Sequence, residues 1–164
     1  MKKYCFTLLA IFVFTGIYSQ NKANFEKEKA AILATIEAEK KGYSDKNMEL
    51  MKMNVVDNPT YTWIYADANG NMLSHGFSEQ EKLVKSWWGD TEIKFPNQKI
   101  TTDFIELKIF SKTAWAVINV VWTTIENEKE VQKRTGIETL FFEKQKGKWK
   151  IACHNVLDTS SYKN

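Results

Sequence analysis

The fold is decided by a stretch in the second half of the chain, VQKRTGIETLFFEKQKGKWKIACHNV at residues 131–156. It contains two runs rich in β-branched and aromatic residues, 131–143 and 148–156, which are typical of strands. The polar joint Lys144-Gln145-Lys146-Gly147 between them is short, so the two strands are expected to pair antiparallel. The stretch therefore predicts a long hairpin near the carboxyl end of the chain.

More strand-forming segments precede this hairpin. Residues 100–110 and 113–125 have the same composition, and short polar joints connect them to each other and to residue 131. Residues 60–66 are also rich in strand formers, and Asn69-Gly70 is a strong hairpin turn sequence. We therefore expect a strongly curved antiparallel sheet made of these segments.

The segment before the strands has helical periodicity. Phe25, Ile32, Ile36 and Tyr43 fall on one stripe of a 3.6-residue period, which predicts an amphipathic helix over residues 24–41. Gly42 is well placed to end this helix.

Two shorter helices are predicted after it. Ser44 or Asp45 is suited to cap a second helix that carries Met48 and Met51 on one side. Residues 78–81, Ser-Glu-Gln-Glu, have the form of a capping box for a third helix. The fold is therefore predicted to be α+β, with three helices in the first half of the chain packed on one face of the sheet.

Residues 1–19 are predicted to be a secretory signal peptide. Met1-Lys2-Lys3 is positively charged, residues 6–14 are apolar, and small or polar residues precede a cleavage site after Ser19 or Gln20. The apolar run is shorter than the about 20 residues of a spanning helix, although an uncleaved anchor remains the alternative. We expect an exported protein, periplasmic or extracellular, with one domain at residues 20–164 and no stable membrane insertion after cleavage.

The composition excludes several classes of protein. The 23 Lys+Arg and 20 Asp+Glu give a formal charge of +3, and removal of the signal peptide lowers it to +1. A charge this small does not fit nucleic-acid binding, which needs a clustered basic face. The two histidines and two cysteines do not have the spacing of metal ligands, so we expect no metal site. The sequence contains no phosphate-binding loop and no dinucleotide-binding motif, so we expect no cofactor. Cys153, the cysteine that would remain, is expected to be a small buried hydrophobe rather than a nucleophile.

The order of these elements resembles the nuclear transport factor 2-like superfamily and, within it, the SnoaL-like proteins. The resemblance rests on DANGNMLSHG at residues 67–76 and on FFEKQKGKWKIACH at 141–154, and it spans about residues 24–158. It implies a cone-shaped fold with a pocket between the sheet and the helices, and a homodimer through the outer face of the sheet. This fold carries both enzymes and binding domains, so the resemblance implies no single function.

His154 is the leading candidate for chemistry. It lies on the last long strand, where the resemblance implies a position facing the cavity, and a histidine exchanges protons near neutral pH. The alternative is a hydrogen-bonded structural histidine. Glu138 would orient His154 if their two strands pair in register, and these two residues form the predicted catalytic pair.

Arg134 and His75 are candidates for ligand binding. Arg134, the only arginine in the sequence, shares a strand face with Glu138 by alternation. It could bind a carboxylate or phosphate in a forked geometry, or instead form a surface pair with Glu138. His75 is expected either near the mouth of the pocket or as an exposed turn residue.

Aromatic side chains complete the predicted pocket, with burial in the core as the alternative for each. The expected lining is Trp63, Tyr65, Trp87, Trp88 and Trp122. Strict alternation places Trp149, Ile151 and Cys153 on one strand face and His154 on the other. Trp115 and Trp149 are then expected on the outer face of the sheet, at a dimer contact.

Two functions remain open at this point. The first is an exported protein that binds a small apolar or aromatic molecule in its pocket without chemistry. The second is a cofactor-independent lyase, isomerase or hydrolase that uses His154 together with Glu138 or Arg134.

Overall fold

A computed structural model describes the backbone of residues 4–89 and 97–162, and the side chains of residues 24–89 and 98–161. Within these residues it contains three α-helices, six strands and a short 3-10 helix. In chain order they are α1 (Tyr4–Ser44), α2 (Met48–Asn54), β1 (Thr62–Asp67), β2 (Gly70–His75), α3 (Phe77–Gly89), β3 (Asn97–Ile109), β4 (Thr113–Glu126), β5 (Lys129–Gln145), β6 (Lys148–Asp158) and the 3-10 helix Ser160–Tyr162.

The predicted signal peptide at residues 1–19 lies outside the residues whose side chains are described, so its cleavage stays a prediction. Among the described residues, no helix has both the length and the hydropathy required to cross a membrane.

The six described strands form one mixed sheet in the order β2-β1-β6-β5-β4-β3. Each neighbouring pair is antiparallel except β1 and β6, which run parallel. The predicted α+β fold is confirmed. The prediction that the sheet is antiparallel is wrong for the pair β1 and β6, which run parallel. Strands joined by short turns must be antiparallel. No turn joins β1 to β6, however, so the local sequence does not dictate their relative direction.

The junction between α1 and α2 is tighter than the sequence indicates. A Cβ at Gly42 would lie 2.8 Å from both the Cγ and the backbone nitrogen of Met51, so the glycine permits close approach of the two helices rather than ending α1. The cap of α2 is Asn47, whose side chain accepts a backbone N–H of the first turn. The caps expected at Ser44 or Asp45 are therefore wrong, because α1 continues through Ser44.

The helices pack against one face of the sheet, and the core lies between them. In β4 and β5 the even-numbered residues face this core. Buried side chains of the two layers are Ile32, Ile36, Met51, Ala114, Ala116, Ile118, Leu140 and Phe142. The removal of large apolar side chains of this kind from water contributes about 1.5–3 kcal/mol each.

In β6 the alternation is interrupted by a β-bulge. Phe141 of β5 pairs with Cys153, but the next residue, Phe142, pairs with Ile151, so Ala152 is an extra residue in β6. As a consequence, odd-numbered residues face the core before Ala152 and even-numbered residues face it after Ala152.

This bulge corrects two sequence predictions. Trp149 and Ile151 face the core before the bulge, and His154 faces the same core after it. The prediction that Trp149 and His154 lie on opposite faces is therefore wrong. The prediction that Trp149 lies on the outer face at a dimer contact is also wrong, because Trp149 is buried in the core. Trp115 does lie on the outer face, where Lys108 Nζ is 5.5 Å from its ring centroid.

Candidate functional site

A pocket lies between α1, α3 and the face of the sheet that packs against the helices. Its cavity volume is about 50 Å³. One water molecule needs about 10–15 Å³, and a typical ligand pocket measures about 300–1,000 Å³. The pocket therefore has room for a polar group of a few atoms, and a larger ligand would keep most of its bulk at the mouth.

Three titratable side chains meet in this pocket, and we call them the Lys40–Glu138–His154 triad. Lys40 Nζ lies 2.7 Å from each carboxylate oxygen of Glu138. His154 Nε2 lies 3.0 Å from Glu138 Oε2 and 3.4 Å from Lys40 Nζ. The exposed fractions of the three residues are only 8%, 0% and 2%, so the triad is a buried charge cluster.

The triad keeps Glu138 ionised. Burial alone would raise the pKa of Glu138, but the charge of Lys40 and the contact with His154 outweigh burial and lower the pKa to about 2. For Lys40, burial alone would lower the pKa, and the carboxylates of Glu138 and Glu39 outweigh it and raise the pKa. Lys40 and Glu138 therefore both carry their charges near neutral pH.

Each member of the triad is positioned by a different element. Lys40 follows Ile36 by four residues and precedes Tyr43 by three, so it lies on the apolar stripe of α1 that faces the sheet. Glu138 faces inward by alternation in β5, and the bulge turns His154 inward in β6.

The two strands pair in the register that the predicted catalytic pair requires. Glu138 lies opposite Val156, and Leu140 lies opposite His154. Glu138 and His154 are therefore diagonal neighbours on one face, within reach of each other's side chains.

His154 Nε2 contacts one acceptor and one donor. Glu138 Oε2, which accepts hydrogen bonds only, lies 3.0 Å away, and the ammonium of Lys40, which donates only, lies 3.4 Å away. His154 Nδ1 is buried and has no hydrogen-bond partner among the described residues. Nδ1 is therefore the ring nitrogen that a bound molecule would meet without competition from a protein partner, and imidazole nitrogens can accept or donate protons.

Aromatic rings form one wall of the pocket. Trp63 and Tyr65 of β1 stack with 6.1 Å between ring centroids, and Trp87 of α3 lies 5.7 Å from Trp63 and 6.0 Å from Tyr65. These distances are in the favourable range for aromatic pairs. The parallel pairing of β1 with β6 sets Trp63 directly beside His154, so the aromatic wall adjoins the triad.

Arg134 lines the pocket but does not pair with Glu138. Its Nη1 donates to Asp158 Oδ2 at 3.0 Å, and the guanidinium lies 5.5 Å from the ring centroid of Trp122. The Tyr65 hydroxyl donates to the same Asp158 oxygen at 3.3 Å. The predicted surface pair between Arg134 and Glu138 is therefore wrong, because Arg134 instead forms an ion pair with Asp158, a buried carboxylate of β6.

Two predicted pocket residues do not line the cavity. His75 is exposed on β2, and its backbone N–H donates to Glu79 Oε2 at 2.8 Å. Trp88 packs against Tyr43, with 6.1 Å between ring centroids, and belongs to the core. The structure instead brings together Trp63, Tyr65, Trp87, Trp122, Arg134, Glu138 and His154 from the predicted set.

Seven pocket residues were not predicted from the sequence: the polar residues Glu39, Lys40, Tyr43 and Gln80, and the apolar residues Val84, Ile100 and Val156. One pattern points to Lys40, since a lysine on the apolar stripe of an amphipathic helix must either reach solvent or find a buried partner. Glu39 and Gln80 have no comparable pattern. Within the described part of the chain, no three His, Cys, Asp or Glu side chains are grouped to hold a metal ion.

Comparison with known proteins shows similarity in fold. No protein-family model and no curated protein matches the sequence. The chain is similar to an NTF2-like protein of unknown function from Shewanella oneidensis MR-1, with 19% identity, a TM-score of 0.63, and coverage of 80% of this chain and 99% of that one. It is also similar to an NTF2-like superfamily protein from Salmonella enterica serovar Typhimurium, with 18% identity, a TM-score of 0.58, and coverage of 79% and 89%.

A third similar structure is an NTF2-like protein with a cystatin-like fold from Novosphingobium aromaticivorans, with 11% identity, a TM-score of 0.66, and coverage of 85% and 87%. At these identities the likeness concerns the fold alone. Together with the mixed six-stranded sheet and the helices packed on one of its faces, it shows that the chain has the nuclear transport factor 2-like fold.

Proposed function

We propose that the protein is an exported binding protein of the SnoaL-like type, which takes up a small molecule with a large apolar or aromatic part. The observation that carries this proposal is the meeting of the aromatic wall and the Lys40–Glu138–His154 triad at one cavity. Apolar walls with a few convergent polar groups are typical of ligand sites. Burial of a charge cluster is costly compared with apolar packing, so a charge cluster at a cavity favours a functional role over a purely structural one.

Native mass spectrometry of the exported protein tests this proposal. The expected result is a protein that begins at Gln20 or Asn21 and carries a retained small molecule. The variant Trp87→Leu removes a pocket wall and should lower the occupancy, whereas Trp115→Leu, on the outer face, should retain it. Equal occupancy in the two variants, or no bound molecule in any preparation, would count against the pocket as the binding site.

A second candidate function is a cofactor-independent lyase, isomerase or hydrolase. The 3.0 Å contact of His154 with Glu138 favours it, because the carboxylate orients the imidazole while Nδ1 has no hydrogen-bond partner among the described residues, and imidazole is a common general base. Arg134 is held by Asp158 and is not needed for this role.

The variant His154→Gln separates the two functions. Its side-chain amide can still donate to Glu138 but cannot act as a base near neutral pH. If the protein is an enzyme, the wild type converts the retained molecule on incubation, while His154→Gln binds it unchanged. A molecule that stays unchanged in the wild type as well leaves binding without catalysis as the function.

A further inference from the structure

Several buried polar atoms of the pocket make no hydrogen bond to the described residues. They are Glu138 Oε2, which is ion-paired with Lys40 at 2.7 Å, and Glu39 Oε2, Gln80 Oε1 and His154 Nδ1. Each of these residues is at most 3% exposed. A buried polar atom without a partner costs about 1–3 kcal/mol. Such atoms are normally satisfied by ordered water or by a ligand.

The buried groups in and beside the pocket include one more carboxylate than cations. Lys40 is matched by Glu138 at 2.7 Å, and Arg134 is matched by Asp158 at 3.0 Å. Glu39 is the remaining buried carboxylate, and its nearest cation is Lys40, already paired and 3.4 Å away. The site therefore holds three buried carboxylates and two cations, and each cation is already paired with a carboxylate other than Glu39.

The aromatic wall of the pocket also favours a positively charged ligand. Trp63, Tyr65 and Trp87 line the pocket beside the acceptors, and the faces of such rings attract cations. A cavity of about 50 Å³ admits a compact cationic group, while a flat apolar remainder would rest against the rings at the mouth.

We propose that the ligand of this pocket is a cation with several N–H donors attached to a flat apolar group, an aromatic amine or amidine, and that Glu39 selects its charge. This inference rests on the proposed binding function and specifies its ligand class. The donors of the ligand satisfy the orphaned acceptors, and its charge balances Glu39. Anionic ligands are disfavoured, because Arg134 is already engaged by Asp158 and the carboxylates of Glu39 and Glu138 would repel them.

Binding of three probes that share one ring tests the proposal: benzamidine, benzyl alcohol and benzoate, titrated against the mature protein by tryptophan fluorescence and calorimetry. A charge-assisted contact with a buried carboxylate predicts that benzamidine binds about tenfold more tightly than benzyl alcohol, with benzoate weakest. Benzyl alcohol or benzoate binding as tightly as benzamidine would overturn the inference and leave the binding function intact. Failure of all three probes to bind would overturn both.

Two variants locate the selectivity. Glu39→Gln should lose about tenfold in affinity for benzamidine and keep its affinity for benzyl alcohol. Glu26→Gln, an exposed position on the same helix with the same change of charge, is the matched control and should bind like the wild type.

The variant Gln80→Leu removes an acceptor without changing the charge, and it should weaken benzamidine binding by a smaller factor. It keeps the test decisive if Glu39→Gln does not fold. Equal benzamidine affinity in Glu39→Gln and Glu26→Gln, or no loss in Gln80→Leu, would overturn the assigned roles.

Discussion

At the residue scale, the position of Lys40 is unusual, because less than a tenth of the surface of this charged side chain is exposed. Lys40 is held by both oxygens of Glu138 and touches His154. Buried ion pairs add little compared with apolar packing, yet removal of one partner leaves the other charge stranded. This asymmetry makes the triad testable by single and paired substitutions.

The substitution Lys40→Met is expected to lower the free energy of unfolding by about 3–5 kcal/mol, because Glu138 remains buried without its cation. The double variant Lys40→Met with Glu138→Leu should recover part of this loss, since Glu138 is then no longer a stranded charge while Glu39 still lacks its 3.4 Å contact with Lys40. Urea unfolding followed by circular dichroism measures both. Lys41→Met, at the exposed neighbouring position, is the control and should change stability little. A single Lys40→Met variant as stable as this control would contradict the buried pair.

The lowered pKa of Glu138 predicts a pH dependence of stability. A carboxyl group whose pKa falls on folding contributes stability above its unfolded pKa, 4.5, and this contribution is lost as the pH falls from 4.5 towards about 2. Glu138→Gln cannot titrate, so the difference in unfolding free energy between wild type and variant should narrow across this window. Denaturant unfolding at a series of acidic pH values measures the difference. A difference that stays constant down to the lowest pH would show that folding does not lower the pKa of Glu138.

Within the elements, irregular positions of the strands shape the pocket. The bulge at Ala152 turns His154 inward, and Gly136 of β5 makes room for the ring of Trp122. A Cβ at Gly136 would lie 2.6 Å from both Trp122 Cη2 and the backbone oxygen of Leu157. The absence of a side chain at Gly136 therefore sets where one aromatic ring meets the pocket.

The variant Gly136→Ala is accordingly expected to displace Trp122 and to destabilise the fold by about 1–3 kcal/mol through overpacking. Thermal unfolding and the tryptophan fluorescence maximum report the two effects. Gly89→Ala is the matched control, because a Cβ at that position meets nothing within 4 Å. Equal melting temperatures for the two variants would argue against the close approach at Gly136.

For the whole molecule, the outer face of the sheet is expected to mediate a homodimer. Phe141 is 48% exposed there, between Trp115 of β4 and Cys153 of β6, and the exposed pair Ile137 and Leu157 lies further along β5 and β6 on the same face. Exposed apolar side chains that gather on one face are a feature of protein interfaces.

Light scattering after size-exclusion chromatography should therefore give the mass of a dimer for the mature protein. Phe141→Lys should convert it to a monomer, because a charge would be buried without a partner at the centre of the interface. Phe110→Lys, at an exposed position beyond the end of β3, is the control and should stay dimeric. A wild-type monomer, or a dimer that persists in Phe141→Lys, would place any interface elsewhere.

The sequence by itself determined the type and order of the helices and strands, and with them the fold class. The strands predicted at residues 113–125 and 131–143 are observed at Thr113–Glu126 and Lys129–Gln145, because alternation, β-branched composition and turn sequences are local properties. Local pattern also placed Glu138 and Arg134 on one strand face.

The tertiary structure alone decided the site. Lys40 and Glu138 meet across 98 residues of chain, and no local pattern encodes a contact at that separation. The parallel pairing of β1 with β6 and the single inserted residue at Ala152 bring Trp63 and His154 side by side. Both depend on how distant segments pack, because hydrogen bonding between strands and burial of the core choose the register only once the whole sheet has assembled.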